Sequence, residues 1–187
     1  MTFERSFDYP LIRAILTVPA IWRRITDDGS PDPADWQPIE SELVWYVLVR
    51  DEGELLGLWM FHPHNAVCWE VHTALLPNAW GERARLAARQ MTEWIWTHTL
   101  CRRIITNVPE TERIALKFAR DAGMEEYGRN PKSFLRDGRL LDQILLGISR
   151  PDSNHGEITD SSVPRSAGSP LLVEIPGDGP GVDAVRH

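Results

Sequence analysis

The chain has 187 residues, a formal charge of −7, a sequence pI near 5.4 and 42% hydrophobic residues, eight Trp among them. That length suits one domain with an appendage, and an acidic balance with no dense Lys/Arg run excludes general nucleic-acid binding. Two cysteines, Cys68 and Cys101, are too few for a disulfide scaffold and read as small buried residues on strands. No uncharged run approaches the roughly 20 apolar residues of a membrane helix, and Glu4, Asp8 and Arg13 interrupt any apolar leader. The expectation is a soluble cytoplasmic protein.

Residues 8–26 read as one or two short helices broken near Pro19, with Leu11, Ile15, Ile21 and Ile25 facing inward. Asp27 to Pro38 is a loop by composition. Leu43 to Arg50 is rich in β-formers, Asp51-Glu52-Gly53 turns the chain, and Leu55 to Phe61 returns as a second strand. A third strand runs from Val67 to Leu76. The pattern then becomes helical from Gly81 to Thr97, with Ala84, Ala87, Met91, Trp94 and Ile95 as the apolar stripe. Arg103 to Val108 is a short apolar strand, and Pro109-Glu110 opens a further helix stopped by Gly123. Two last strands, 125–135 and 139–149, flank Asp137-Gly138, a strong hairpin signal.

Strands alternating with helices in this way predict an α/β fold with a mixed sheet and helices on both faces. The final 37 residues hold five Pro, five Gly, six acids and no aromatic residue, the composition of a disordered tail. Within it only Leu171–Ile175 offers a segment that pairs as a strand or docks on a partner.

The run from Leu75 to Arg85 carries the most chemistry. A strand that feeds a Gly-bearing turn and then a helix delivers bare N–H groups to one point, which suits a phosphate-bearing cofactor. Glu70 and His72 alternate along the preceding strand and so share one face. Either can accept a proton; the competing reading is a polar, partly exposed strand face, which weighs more for His72. His62, His64, Cys68 and His72 are ligand types, but Pro63 and strand geometry are expected to spread them, so no metal site is expected. Trp45, Trp59 and Trp69 read as core, with an acceptor-pocket lining as the alternative.

Three motifs together resemble the GNAT acetyltransferase superfamily over residues 40–150, nearest to its ribosomal-protein N-acetyltransferase-like branch. Trp80-Gly81 is similar to the start of the family's cofactor loop and helix, and Ala115 through Gly123-Met124 to its helix ending in Gly-Phe. Leu135 to Arg139, Asp142 and Leu146-Gly147 resemble its closing hairpin. Glu70-Val71-His72 and Leu75-Leu76-Pro77 are also similar to GNAT-like proteins encoded by bacteriophages.

The resemblance implies an acyl-CoA N-acyltransferase domain over residues 1–150, mostly antiparallel in its central sheet, followed by the tail at 151–187. It implies acetyl-CoA as co-substrate and an amine of a protein or small molecule as acceptor. Leu75 and Leu76 would pair with pantetheine; Trp80, Gly81, Glu82, Arg83, Ala84 and Arg85 would surround the pyrophosphate. Glu70 and His72 fall at a family base position. Glu112 takes the place of the family's cofactor-side Asn, and Ala119 that of its general-acid Tyr. Arg83 and Arg85 stand where the family has Gly and a small residue, so they either bind phosphate through guanidinium groups or are solvated charges at a plain helix start. The resemblance is therefore also compatible with a non-catalytic structural or assembly protein, for example a virion component whose tail binds a protein partner.

Overall fold

A computed structural model describes residues 1–151. Its strands are β1 (Thr2–Ser6), β2 (Trp45–Asp51), β3 (Glu54–Pro63), β4 (Cys68–Leu75), β5 (Arg103–Pro109), β6 (Glu125–Arg136) and β7 (Arg139–Ser149). Its helices are α1 (Tyr9–Leu16), α2 (Pro19–Ile25), α3 (Glu82–His98) and α4 (Arg113–Asp121). The strands form one sheet in the order β1-β2-β3-β4-β5-β7-β6, antiparallel everywhere except between β4 and β5. The expected mixed, mostly antiparallel sheet with helices on both faces is the observed architecture.

Alternation along the strands sorts the core into two layers. Val47, Trp59, Phe61, Val71 and Leu75 face α3, which returns Ala84, Ala87, Met91 and Ile95. Tyr46, Leu48, Leu58 and Ala74 face the other way, onto Ile12, Ile15, Leu16 and Ile21 of α1 and α2. Asp8 caps α1 by accepting the Leu11 N–H at 3.0 Å. Beyond α2, both carboxylate oxygens of Asp28 accept the N–H groups of Asp137 and Gly138 at 3.0 and 2.7 Å, fastening the loop to the closing hairpin. That hairpin turns at Asp137 and Gly138, both at positive φ, as its dipeptide predicts.

One strand was not anticipated and two expectations change. The N-terminal segment Thr2–Ser6 is a strand paired with β2; its Glu4, Arg5 and Ser6 hide an edge strand from a hydrophobicity pattern. Cys101 is fully buried but lies in the turn before β5, and burial pushes its thiol up to about 12, a form inert at neutral pH. Pro109 ends β5, and α4 starts only at Arg113. The tail and its Leu171–Ile175 segment lie outside the described residues. Among the described residues no helix is long and apolar enough to cross a membrane.

Gly57 sits at φ 132° beside the register shift between Val49 and Arg50, and a Cβ there would come within 2.3 Å of Ala74 O. Only glycine lets β3 approach β4 this closely. Gly57→Ala is expected to lose roughly 3 kcal/mol of stability in urea unfolding. A loss near zero would show that the two strands part without cost.

Candidate active site

The sheet opens at its one parallel pair. β4 and β5 are in register only at Cys68–Arg103, Trp69–Ile104 and Glu70–Ile105, and beyond Glu70 the strands diverge. Leu76 N–H donates to Leu56 O at 2.8 Å, so on this ladder the backbone groups of His72, Ala74 and Leu76 serve β3. Those of Val71, Thr73 and Leu75 turn the other way, into the opening. A cavity of about 520 Å³ passes through it, lined by Glu70, His72 and Ala74 from one face of the sheet and Phe61, Val71 and Met91 from the other.

Glu70 is the one buried charged side chain among the described residues, at 7% exposure. Asn107 Nδ2, from β5 across the opening, donates to Glu70 Oε1 at 3.1 Å. His62 lies opposite Glu70 in the β3–β4 register. After Pro63 the chain turns tightly: His64 and Asn65 N–H groups both reach Cys68 O, and Asn65 Oδ1 accepts from Val67 and Cys68 N–H. That turn folds His64 back onto Glu70, with Nε2 2.9 Å from Oε2. His62 Nε2 is 3.7 Å from the same oxygen, and His72 Nε2 is 3.6 Å from Oε1. The His62 ring stacks on both His64 and His72, with centroids 5.5 Å apart in each pair. The histidines expected to be spread apart therefore converge on one carboxylate, because register and turn, rather than sequence spacing, set their positions. Burial holds the His72 pKa below its ordinary value; the Glu70 charge pulls it up and His62 pushes it down.

The helix that follows begins at Gly81, which has φ 91° and ψ −132°. No side chain caps it, so the first-turn N–H groups have no partner within the helix. Trp80, Gly81, Ala84 and Arg85 line the cavity at this end. The two arginines differ. Positions two apart on a helix point about 200° from one another. Arg83 turns to the β2–β3 hairpin, bonding Glu54 at 2.7 Å, Asp51 at 3.3 Å and Asn78 O at 3.3 Å, and does not reach the cavity. Arg85 borders it with its charge shared with Glu82, whose side chain is 80% exposed, and with Asp121 at 3.9 Å. Leu76 and Glu82 also lie off the lining, while Leu75 lies on it. Leu75 O already accepts the Trp80 indole N–H at 2.9 Å.

Glu112 precedes α4 and borders the cavity, but its carboxylate bonds Arg136, which also donates to Thr26 O. The Glu112 carboxylate at the cavity border is thus neutralised by a neighbouring cation. Ala119 is buried on α4 at the cavity wall. Trp59 and Trp69 are buried, as read; Trp59 also borders the cavity, and Trp45 packs edge-on to Trp69 at 5.3 Å. Three contributors escaped the sequence reading: Asn107, Arg136 and Arg24. Asn107 had a signal, an amide inside an apolar strand run. Arg24 lines the cavity with its guanidinium 5.2 Å over the Trp80 ring, and among the described residues no carboxylate pairs with it.

This architecture, a sheet opened between its fourth and fifth strands beside an uncapped helix start, is the fold of the GNAT N-acetyltransferases. Spermidine N-acetyltransferase from Vibrio cholerae, solved in complex with CoA and spermine, superposes with a TM-score of 0.66 at 17% identity, covering 79% of this chain and 94% of that one. Ribosomal-protein-alanine N-acetyltransferase from Brucella melitensis is similar at a TM-score of 0.55 and 17% identity, over 80% of this chain and 100% of its own. No protein-family model and no curated protein matches the sequence.

NMR titration of the imidazole signals is expected to place His72 below the ordinary histidine value of about 6.5. Glu70→Gln should lower it further by removing the attraction, and His62→Ala should raise it by removing the repulsion. A His72 that titrates above the ordinary value would contradict this arrangement.

Proposed function

We propose that the chain transfers an acetyl group from acetyl-CoA to an amine of a protein or small molecule, in the cytoplasm. One observation carries this reading: a single cavity joins the uncapped start of α3 to the buried Glu70 carboxylate through the opening between β4 and β5. The likeness to N-acetyltransferase structures, one of them holding CoA and an amine, supports it.

In this reading the pyrophosphate lies against the N–H groups of the first turn of α3, where the helix dipole favours an anion. Arg85 and Arg24 supply positive charge, and the pantetheine arm runs along the exposed backbone edge of Val71, Thr73 and Leu75. An acceptor amine enters from the face that carries Glu70 and His72. It must shed a proton before its lone pair can attack the thioester carbonyl carbon. Glu70 receives that proton and passes it through the adjoining histidines toward solvent. The new N–C bond forms, charge collects on the carbonyl oxygen beside the β4 amides, and the C–S bond breaks. Ala119 has no proton to give, so the departing thiolate takes its proton from water.

The Trp80–Leu75 bond favours a second reading. An indole on the strand edge that pantetheine would use suits a GNAT-fold protein without catalysis, an assembly or structural component, for example of a phage particle, with the tail as partner-binding segment.

Calorimetric titration with CoA and an acetylation assay across a panel of polyamines and N-terminal peptides separate the two. Binding with turnover on any amine is the expected result; no binding at millimolar CoA would eliminate the transferase. Arg24→Ala and Arg85→Ala should each weaken CoA roughly tenfold or more, the loss of a hydrogen bond to a charged group. Arg83→Ala should leave affinity unchanged. Equal losses for all three would mean that only overall charge matters. Glu70→Gln should reduce kcat by roughly 100-fold or more without weakening CoA binding, the contribution expected of a general base.

A further inference from the structure

The cluster around Glu70 exceeds what proton transfer requires. A general base needs one carboxylate and one route for its proton, yet three imidazole nitrogens converge on the same two oxygens. The ligand atoms of His62, His64 and Glu70 all lie within 4.8 Å of one another. The His64 and His62 Nε2 atoms stand 2.9 and 3.7 Å from Glu70 Oε2. Those separations bracket roughly 3.3–3.5 Å, the edge of a tetrahedron with metal–ligand bonds of about 2.0–2.2 Å. We propose that His62, His64 and Glu70 form a binding site for one divalent transition-metal cation of the zinc type, with His72 as an additional ligand 3.4 Å from His62 Nε2.

Each part of the site has a structural cause. His62 lies opposite Glu70 in the β3–β4 register, so its imidazole falls on the face that Glu70 occupies, and the turn after Pro63 brings His64 back over the same carboxylate. The Asn65 turn holds the second of them in place. Asn107 binds Glu70 Oε1 and leaves Oε2 to the two histidines, the kind of supporting hydrogen bond that orients a ligating carboxylate. Neutral imidazoles with one carboxylate give a net charge of −1. That donor set prefers zinc, cobalt or nickel to calcium or magnesium, which favour oxygen ligands. The side chains of His62 and His64 are 34% and 45% exposed, so an ion can enter without unfolding the sheet.

The site does not depend on the transferase reading, though it meets it at one atom. A cation on Glu70 Oε2 competes with the proton the base would accept, so occupancy would inhibit acetyl transfer and a chelator would restore it.

The test uses the full chain, freed of any affinity tag, stripped with chelator and titrated with cobalt(II) chloride in the absence of CoA. The expected result is one equivalent bound at micromolar protein, with the intense visible absorption of four- or five-coordinate cobalt, displaced by zinc. His64→Ala and Glu70→Gln should each weaken binding at least about 100-fold, and Asn107→Ala by about 10–100-fold, the range for a lost supporting contact. His98→Ala, on α3, should change nothing. The exposed His64 can be truncated without disturbing the core, so that variant decides the matter even if Glu70→Gln fails to fold. Weak six-coordinate cobalt alone, or affinity unchanged in His64→Ala, overturns the site. A chain that binds cobalt as expected but no CoA would refute the transferase and leave the metal site standing.

Discussion

Everything functional in this molecule follows from the early end of one parallel strand pair. After Glu70 and Ile105 the hydrogen-bonded ladder between β4 and β5 stops, although both strands continue. Backbone groups turned into a gap in the middle of a sheet are costly unless something satisfies them. The Trp80 indole N–H satisfies part of this exposure at Leu75 O, and the Asn107–Glu70 side-chain bond bridges the opening. The remaining edge is a template for an extended, amide-bearing arm, which is why the opening reads as a binding feature rather than a packing defect.

Charge is handled by local pairing. The chain as a whole is acidic, yet the cavity's acids and bases are matched at short range: Arg85 with Glu82, Lys117 with Asp121 at 2.8 Å, and Arg136 with Glu112. The exposed pairs among these add little stability, while Arg136–Glu112 is partly buried. Their consequence lies in the field they leave, nearly neutral along the walls, with the uncapped α3 start, Arg24 and the loosely shared charge of Arg85 as the positive features. On the opposite side of the opening, Glu70 stands in a shell of imidazoles, so one cavity presents an anion-seeking end and a cation-seeking end.

The elements set by local chemistry were readable in the sequence. Asp137-Gly138 gave the closing hairpin its turn, Gly81 its place before α3, and the alternation around Glu70 and His72 a shared strand face. What could not be read was anything fixed by register or by the direction of a side chain. Strand β1 is a polar edge held by pairing with β2, so no apolar pattern announces it. Arg83 and Arg85 look equivalent in the sequence, but helical geometry sends one to the Asp51–Glu54 hairpin and the other to the cavity. His62 and His64 gained their meaning only when a turn of four residues and a β3–β4 register laid them over Glu70. Arg136 reaches Glu112 across 24 positions of chain, a partner no local window contains.

The most direct measurement is a backbone amide shift map of the isotopically labelled chain during titration with CoA. If the opening and the uncapped helix start bind the cofactor, the largest shifts fall on Val71, Thr73 and Leu75 and on Gly81 to Ala84, with the Trp80 indole N–H moving as it leaves Leu75 O. Shifts scattered over the outer faces, or a spectrum that does not respond while the indole keeps its bond, would contradict the account.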